Sequence, residues 1–240
     1  MTKRVRRTTL ISLVAAALLL ALAAALFQIS KARCFSLTGD AICRVETKER
    51  LVALSFDDGP TPAGVEWATS VLAGSDAHAT FFLIGGELEG RELLVRRLLD
   101  GGHEVGNHSF SHVRMVGRSA SFYDSEIART DALLRRAGVP APSLFRPPYG
   151  KKLIGLPRAI ERHGYKMIMW DIEDPRGAAT PLAYAQRVVA EARPGSIILM
   201  HLMYSSNRVA REALPLVVQG LQARGFRIVT VGELLKHQQD

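Results

Sequence analysis

Between residues 51 and 231 short apolar runs alternate with amphipathic stretches, and that alternation limits the possible folds more than any other feature of the chain. Strand-like runs occupy residues 51–56, 79–84, 104–107, 143–146, 166–171, 196–200 and 227–231. Helical patterns lie between them, at 65–72, 92–99, 121–137, 156–163, 182–192 and 209–223. Several of these stop at a glycine (Gly138, Gly164, Gly225), the residue that most easily takes the left-handed conformation of a helix end. Strict β-α alternation means parallel strands joined by helical crossovers, hence an α/β fold. Seven strands in so compact a chain favour an incomplete barrel over an open doubly wound sheet. No phosphate-loop or dinucleotide glycine fingerprint is present, so the usual signature of nucleotide chemistry is missing.

Upstream of this region, residues 10–27 carry no charge and follow Lys3, Arg4, Arg6 and Arg7. The run is long enough to cross the hydrocarbon core as a transmembrane helix, and its basic flank predicts a cytoplasmic N-terminus. A cleaved secretory signal is the rival, but the following Gln28-Ile29-Ser30-Lys31-Ala32-Arg33 offers a poor cleavage site. The expected organisation is a basic N-terminus at 1–8, a signal anchor (or signal peptide) at 9–28, a stalk at 29–48 and a βα domain at 49–235. That domain would face the periplasm or exterior from the cell membrane, or be secreted if the leader is removed. The formal charge of +8 belongs largely to the flank, because residues 1–33 hold six Lys/Arg and no acid. The remainder has 25 basic and 23 acidic residues, which gives no reason to expect a nucleic-acid partner. Cys34 and Cys43 are the only cysteines. In an oxidising compartment they would close a short disulfide loop; two free thiols are the alternative.

Barrels of βα units carry their chemistry at the C-terminal ends of the strands. Asp57 and Asp58 end the first strand, Asn107-His108 follows the third, and Arg146-Pro147-Pro148-Tyr149-Gly150 ends the fourth. Trp170-Asp171 ends the fifth and His201 the sixth. Two adjacent carboxylates at a strand mouth repel each other and resist desolvation, which calls for a cationic partner such as a metal or an arginine. A solvated Asp-Asp turn is the plain alternative. His108 and His112, at i and i+4, would share a face in a helical turn and clamp one cation, although two loop histidines are often merely polar. With a carboxylate from a neighbouring strand they would form a catalytic zinc-type set with positions left for water. His78, His103 and His163 have no comparable partners and read as packing or surface residues.

Four segments in order, Ser55-Phe56-Asp57-Asp58-Gly59-Pro60, His108-Ser109-Phe110-Ser111-His112, Arg146-Pro147-Pro148-Tyr149-Gly150 and Leu199-Met200-His201, resemble the motifs of the polysaccharide deacetylases, carbohydrate esterase family 4, with their NodB homology domain. The resemblance spans roughly residues 50–235. It implies a distorted (β/α)7 barrel and a hydrolase that removes acetyl groups from N- or O-acetylated sugars of an envelope or extracellular polysaccharide. Asp58, His108 and His112 would hold one divalent metal, zinc first, with cobalt, nickel or manganese as alternatives. Asp57 would be the general base, paired with Arg146. The backbone N–H of Tyr149 would steady the oxyanion, and His201 would be the general acid.

The chain departs from the family pattern at the fourth motif, usually an Asp–Trp pair that tunes the catalytic histidine. Aligning on Trp170 puts Arg176 and Gly177 at those positions; aligning on Asp-x-x-Asp instead offers Asp174, followed by Pro175. Asp171, Glu173 and Asp174 are all candidates for the acid behind His201, and Asp171 is preferred here because it lies closest to its strand end. The loop at 202–208 also differs from the usual turn, which puts the sugar subsite in question more than the chemistry. Two other readings stand beside the deacetylase: a metal-dependent amidase or deformylase of a smaller amide, and a glycan-binding barrel without activity.

Overall fold

A computed structural model describes residues 3–175 and 177–239. It begins with helix α1 (Lys3–Lys31), whose side chains from residue 10 to residue 25 are exposed, followed by a short strand β1 (Ala41–Ile42). The βα series then runs β2 (Leu51–Asp57), α2 (Pro62–Ala73), β3 (Ala79–Leu83), α3 (Gly85–Leu88), α4 (Glu92–Asp100) and β4 (Glu104–Asn107). It continues through α5 (Ala120–Arg136), β5 (Leu144–Phe145), α6 (Gly155–Arg162), β6 (Lys166–Ile168), α7 (Pro181–Glu191) and β7 (Ile197–His201). The series closes with α8 (Arg208–Ala223), β8 (Arg227–Val229) and α9 (Val231–Leu235). All seven expected strands are present, with the expected helices between them. Helix starts follow local chemistry: Thr61 and Thr180 each accept a hydrogen bond from a backbone N–H three residues on, with Pro62 and Pro181 pre-set for the first helical turn.

Every strand pair is parallel, in the order β1-β6-β5-β4-β3-β2-β7, with β8 beside the first residues of β2. After β6 the chain returns to β7 through a parallel bridge between Ile172 and Ile198, and the Leu199 N–H donates to the Ile172 carbonyl at 2.8 Å. The sheet therefore curls into a distorted barrel of βα units. Residues 29–48, expected as a stalk, contribute to it: β1 pairs with β6, and Arg44 bridges Ser196 ahead of β7. A disulfide joins Cys34 to Cys43 beside that insertion.

Strand parity decides what reaches the interior. Val52, Leu54 and Phe56 of β2 pack outward under the helices, whereas Leu51 and Ala53 face a separate inner cluster with Phe82, Ile168 and Leu199. Side chains alternate along a strand, so Asp57 shares the inward face at its open end. Burying each large aliphatic or aromatic side chain contributes about 1.5–3 kcal/mol, which fixes this parity against a one-residue slip. Helix α9 closes the opposite end: the Val231 N–H donates to Thr80 Oγ1, the Gly232 N–H donates to Glu104, and Leu234 fills the inner cluster. Only the rim at the strand C-termini is left open.

Candidate active site

Asp57 is buried at the top of β2 and accepts a hydrogen bond from Arg146 Nη1 at 2.7 Å. Arg146 is itself fully buried. Its Nε and Nη2 donate to the Ile168 and Met169 carbonyls at 3.3 and 3.1 Å, and its guanidinium lies 4.0 Å from the centre of the Phe82 ring. A buried ion pair is tolerable only when its remaining hydrogen-bonding groups are also satisfied, and here the backbone of the strand-end loop satisfies them. Burial pushes the Asp57 carboxyl up, but Arg146, His108 and His201 outweigh it and hold the group below the usual carboxylate range.

Asp58, the next residue, takes a left-handed backbone conformation (φ 76°), which turns it out of the strand. Burial, and then the neighbouring Asp57 charge, push its carboxyl up to about 6. Its Oδ1 is buried and has no hydrogen-bond partner. His112 Nε2 lies 3.4 Å from that oxygen and His108 Nε2 lies 3.9 Å away. One ligand atom from each of the three residues falls within 4.8 Å of the others. His108 Nδ1 bonds the Arg146 carbonyl at 2.8 Å, which makes that nitrogen the N–H donor and leaves the Nε2 lone pair facing Asp58. Burial also lowers the His108 pKa to about 4, so the ring stays neutral. An orphaned carboxylate oxygen facing two imidazole nitrogens fits a divalent cation of the zinc type.

The two histidines do not meet through a helical turn, as their spacing suggested. They lie in a loop with left-handed backbone at Ser109 (φ 64°) and His112 (φ 52°). The loop is held by Glu126 of α5, whose Oε2 accepts the Phe110 and Ser111 N–H groups at 3.1 and 2.8 Å. The Ser109 N–H donates to Asn107 Oδ1, and the His112 N–H donates to Ser109 Oγ. No local pattern marks Glu126, which stands 14 residues beyond His112 in the sequence.

His201 stands across from Asp57 at the end of β7, paired in register with it. Asp174, not Asp171, carries the carboxylate behind it: Asp174 Oδ2 bonds His201 Nδ1, and Oδ1 accepts the His201 N–H at 3.3 Å. Register explains the difference. β6 ends at Ile168, and the parallel bridge between Ile172 and Ile198 sets Asp171 beside the start of β7. There its carboxylate accepts bonds from Ser196 Oγ and the Ile197 N–H, both at 2.9 Å. Counting on from the bridge brings position 174 level with the end of β7. Tyr184 of α7 donates to Asp174 as well, a partner with no sequence cue. Burial alone would lower the His201 pKa, but the Asp174 bond and the charges of Asp57, Asp174 and Asp58 raise it to about 9. Arg176, one of the two positions set against the Asp–Trp pair, lies outside the described residues.

Tyr149 has left-handed backbone (φ 56°), and its exposed ring sits 4.8 Å from that of His112. Trp170 forms the facing wall and donates through Nε1 to Glu173 at 3.0 Å. These groups line a cleft of about 450 Å3. An adjoining hollow runs past Asp174 and His201 to the start of α8, and its wall is the unusual 202–208 loop. Tyr204 of that loop donates to Glu87 of α3. The other histidines stay apart from the cleft: His103 is buried with its Nδ1 near the Ala79 N–H, and His163 contacts Asp124.

The chain is similar to known proteins in sequence and in fold. Residues 44–168 match the model of the family described as polysaccharide deacetylase. A peptidoglycan-N-acetylglucosamine deacetylase from Bacillus cereus is 32% identical over 204 residues, which cover 84% of this chain and 95% of that protein. A family 4 carbohydrate esterase from Streptomyces lividans, solved in complex with acetate, is 32% identical with a TM-score of 0.68, covering 76% of this chain and 93% of the other. A CE4 family pseudoenzyme from Bacillus anthracis shares the fold (TM-score 0.76, 24% identity), covering 86% of this chain and 72% of its own. By its fold, its matched residues and these relatives, the chain belongs to the polysaccharide deacetylase family.

Proposed function

We propose that this protein is a metal-dependent deacetylase acting on N-acetylated amino sugars of an envelope polysaccharide, anchored in the membrane by α1. The observation that carries the reading is the buried, unpartnered Asp58 Oδ1 facing His108 and His112, with an arginine-paired Asp57 and a carboxylate-backed His201 on either side. Asp58, His108 and His112 would hold the cation, which when bound polarises the acetyl carbonyl and lowers the pKa of water at the site. Asp57, kept ionised by Arg146, accepts the proton of the attacking water. The backbone N–H of Tyr149 would steady the carbonyl oxygen as it gains charge. His201, protonated at neutral pH by virtue of Asp174, gives its proton to the amine nitrogen as the C–N bond breaks, releasing acetate and the free amino sugar. Arg146 is a positioning residue for Asp57, and Asp174 is one for His201. Complete ligand, base and acid positions favour an active enzyme over a glycan-binding barrel.

The test is acetate release from N-acetylglucosamine oligomers, with zinc or cobalt supplied, run beside simple amides and acetylated xylan. Asp57→Asn should retain metal, measured by elemental analysis, while turnover falls by about 10²–10⁴-fold, the usual worth of a general base. His112→Ala should lose metal as well. Equal metal loss in both variants would overturn this division of roles. Release from simple amides alone would move the reading to an amidase.

A further inference from the structure

Helix α1 touches the barrel only through its last turn: Ser30 is buried and Ile29 half-buried, while nearly all earlier residues are exposed. Beneath that turn lies Lys152, a lysine with 1% of its surface exposed. Its Nζ donates to the Ala32 carbonyl and reaches the Arg33 carbonyl at 3.5 Å, and its backbone N–H donates to the Ser30 carbonyl at 3.4 Å. A buried cation thus ties down the carbonyls just past the end of α1, and the Lys152 backbone N–H takes one inside its last turn. Lys152 follows directly on the loop that carries Tyr149. Arg33 then pairs at 3.8 Å with Glu173, which holds the Trp170 indole. The helix therefore leaves the barrel at the wall of the catalytic cleft, and Cys34 is tied into the fold three residues after α1 ends. No flexible tether separates them.

The surface around this exit suits a lipid headgroup layer. The Phe27 ring lies 4.0 Å from Lys31 Nζ and 5.2 Å from Lys151 Nζ, and the Arg114 guanidinium covers the Tyr149 ring at 5.4 Å. No carboxylate pairs with Lys31, Lys151 or Arg114 among the described residues. Exposed apolar side chains occur in the same segments: Tyr149 under Arg114, Ile154 three residues after Lys151, and Phe35 and Leu37 shortly after the end of α1. Aromatic and basic residues together mark the level at which a spanning helix leaves the hydrocarbon.

We infer that the catalytic rim rests on the surface of the bilayer that α1 spans, with Lys31, Lys151 and Arg114 against anionic headgroups and the cleft opening at headgroup level onto acetylated sugars presented there. The inference rests on the reading of α1 as a membrane span. It makes membrane-proximal or lipid-carried sugars the accessible substrates, because the pinned helix end gives the barrel no reach into more distant glycan.

The test places a nitroxide on single cysteines introduced by Leu19→Cys, Ile154→Cys or Asp76→Cys in the full chain, reconstituted in nanodiscs of phosphatidylcholine with phosphatidylglycerol. Collisions with oxygen and with a water-soluble nickel chelate then report depth. The expected result puts position 19 in hydrocarbon, 154 at headgroup depth and 76, at the closed end of the barrel, in water. Neutralising Lys31→Gln together with Lys151→Gln should weaken the headgroup contact and shift the label at 154 toward water, read as more frequent collisions with the chelate. If 154 proves as accessible to the chelate as 76 while 19 stays in hydrocarbon, the docking is wrong and the anchor stands. A label at 19 exposed to water would overturn the anchor reading and the inference with it.

Discussion

Asp57 and Asp58 are neighbours with opposite environments, and one backbone angle separates them. Parity along β2 sends Asp57 inward to Arg146, and the left-handed conformation of Asp58 turns its carboxylate toward His108 and His112. Charge repulsion suggested a cationic partner for the pair and left a solvated turn as the alternative; which carboxylate met Arg146 and which met the histidines depended on the strand's register in the barrel. The acid behind His201 was not legible, because the choice among Asp171, Glu173 and Asp174 hangs on where β6 stops. The two aspartates now make separate predictions. With Asp174 in place the His201 pKa is raised to about 9, so the proposed general acid is protonated at neutral pH and activity should fall as pH rises through that value. Asp174→Asn removes the raising carboxylate and should move the alkaline limb of the kcat profile down toward the ordinary histidine range near 6.5, with a loss of rate at neutral pH. Asp171→Asn should leave that limb in place and lower stability by about 1–3 kcal/mol, because Ser196 and the Ile197 N–H lose a charged acceptor. A pH–rate series on the two variants, with urea unfolding of both, separates the roles. An unchanged limb in Asp174→Asn would refute the assignment.

At the scale of elements, the apolar patterns located seven of the eight strands and every long helix of the barrel, because each buries a face and must repeat at its own period. The short pieces escaped: α3, α9 and β1 are too brief to show a period. The histidine loop was misread for a related reason. Spacing of four fits a helix, yet the loop is shaped by hydrogen bonds from a distant element that no local pattern encodes. Glu126 takes three of those bonds, from the Phe110 N–H, the Ser111 N–H and the Ser111 hydroxyl. It is buried on the side of α5 that faces the loop. Removing it by Glu126→Ala strands two backbone donors and frees the conformation of both histidines that face Asp58. We expect metal affinity to fall about 10–100-fold, as when other supports of ligand residues are removed, although Glu126 touches no cation itself. Competition with a zinc chelator gives the affinity. Far-ultraviolet circular dichroism, expected to match the parent, shows that the barrel has survived.

The whole molecule turns on how the barrel closes. Seven strands leave a gap between β6 and β7, and residues 41–45 fill it: β1 lies along β6, Arg44 bridges Ser196, and the Val45 N–H donates to the Gly195 carbonyl at 2.9 Å. Sequence reading assigned this stretch to a stalk because two residues of strand carry no signal, and only closure of the sheet gives them a place. Gly195 is the contact on which that closure depends. Its φ is +80°, its N–H donates to the Leu51 carbonyl at 2.8 Å, and a Cβ there would overlap the Val45 carbonyl oxygen. Gly195→Ala therefore meets two costs at once: about 1–2 kcal/mol for a left-handed residue with a Cβ, and about 1–3 kcal/mol for forcing backbone apart in a packed interior. Gly164→Ala is the matched control, since Gly164 has a similar φ of +74° and nothing within 4 Å of the added carbon. The control should lose only the first cost. Urea unfolding should thus place Gly195→Ala about 1–3 kcal/mol below Gly164→Ala. Because the Val45–Gly195 contact lies ahead of β7, at the end of that strand away from His201, zinc affinity measured below the unfolding transition should stay near the parent value. Equal destabilisation by the two substitutions would mean that the 41–45 segment is a loose cover and not a stave of the barrel.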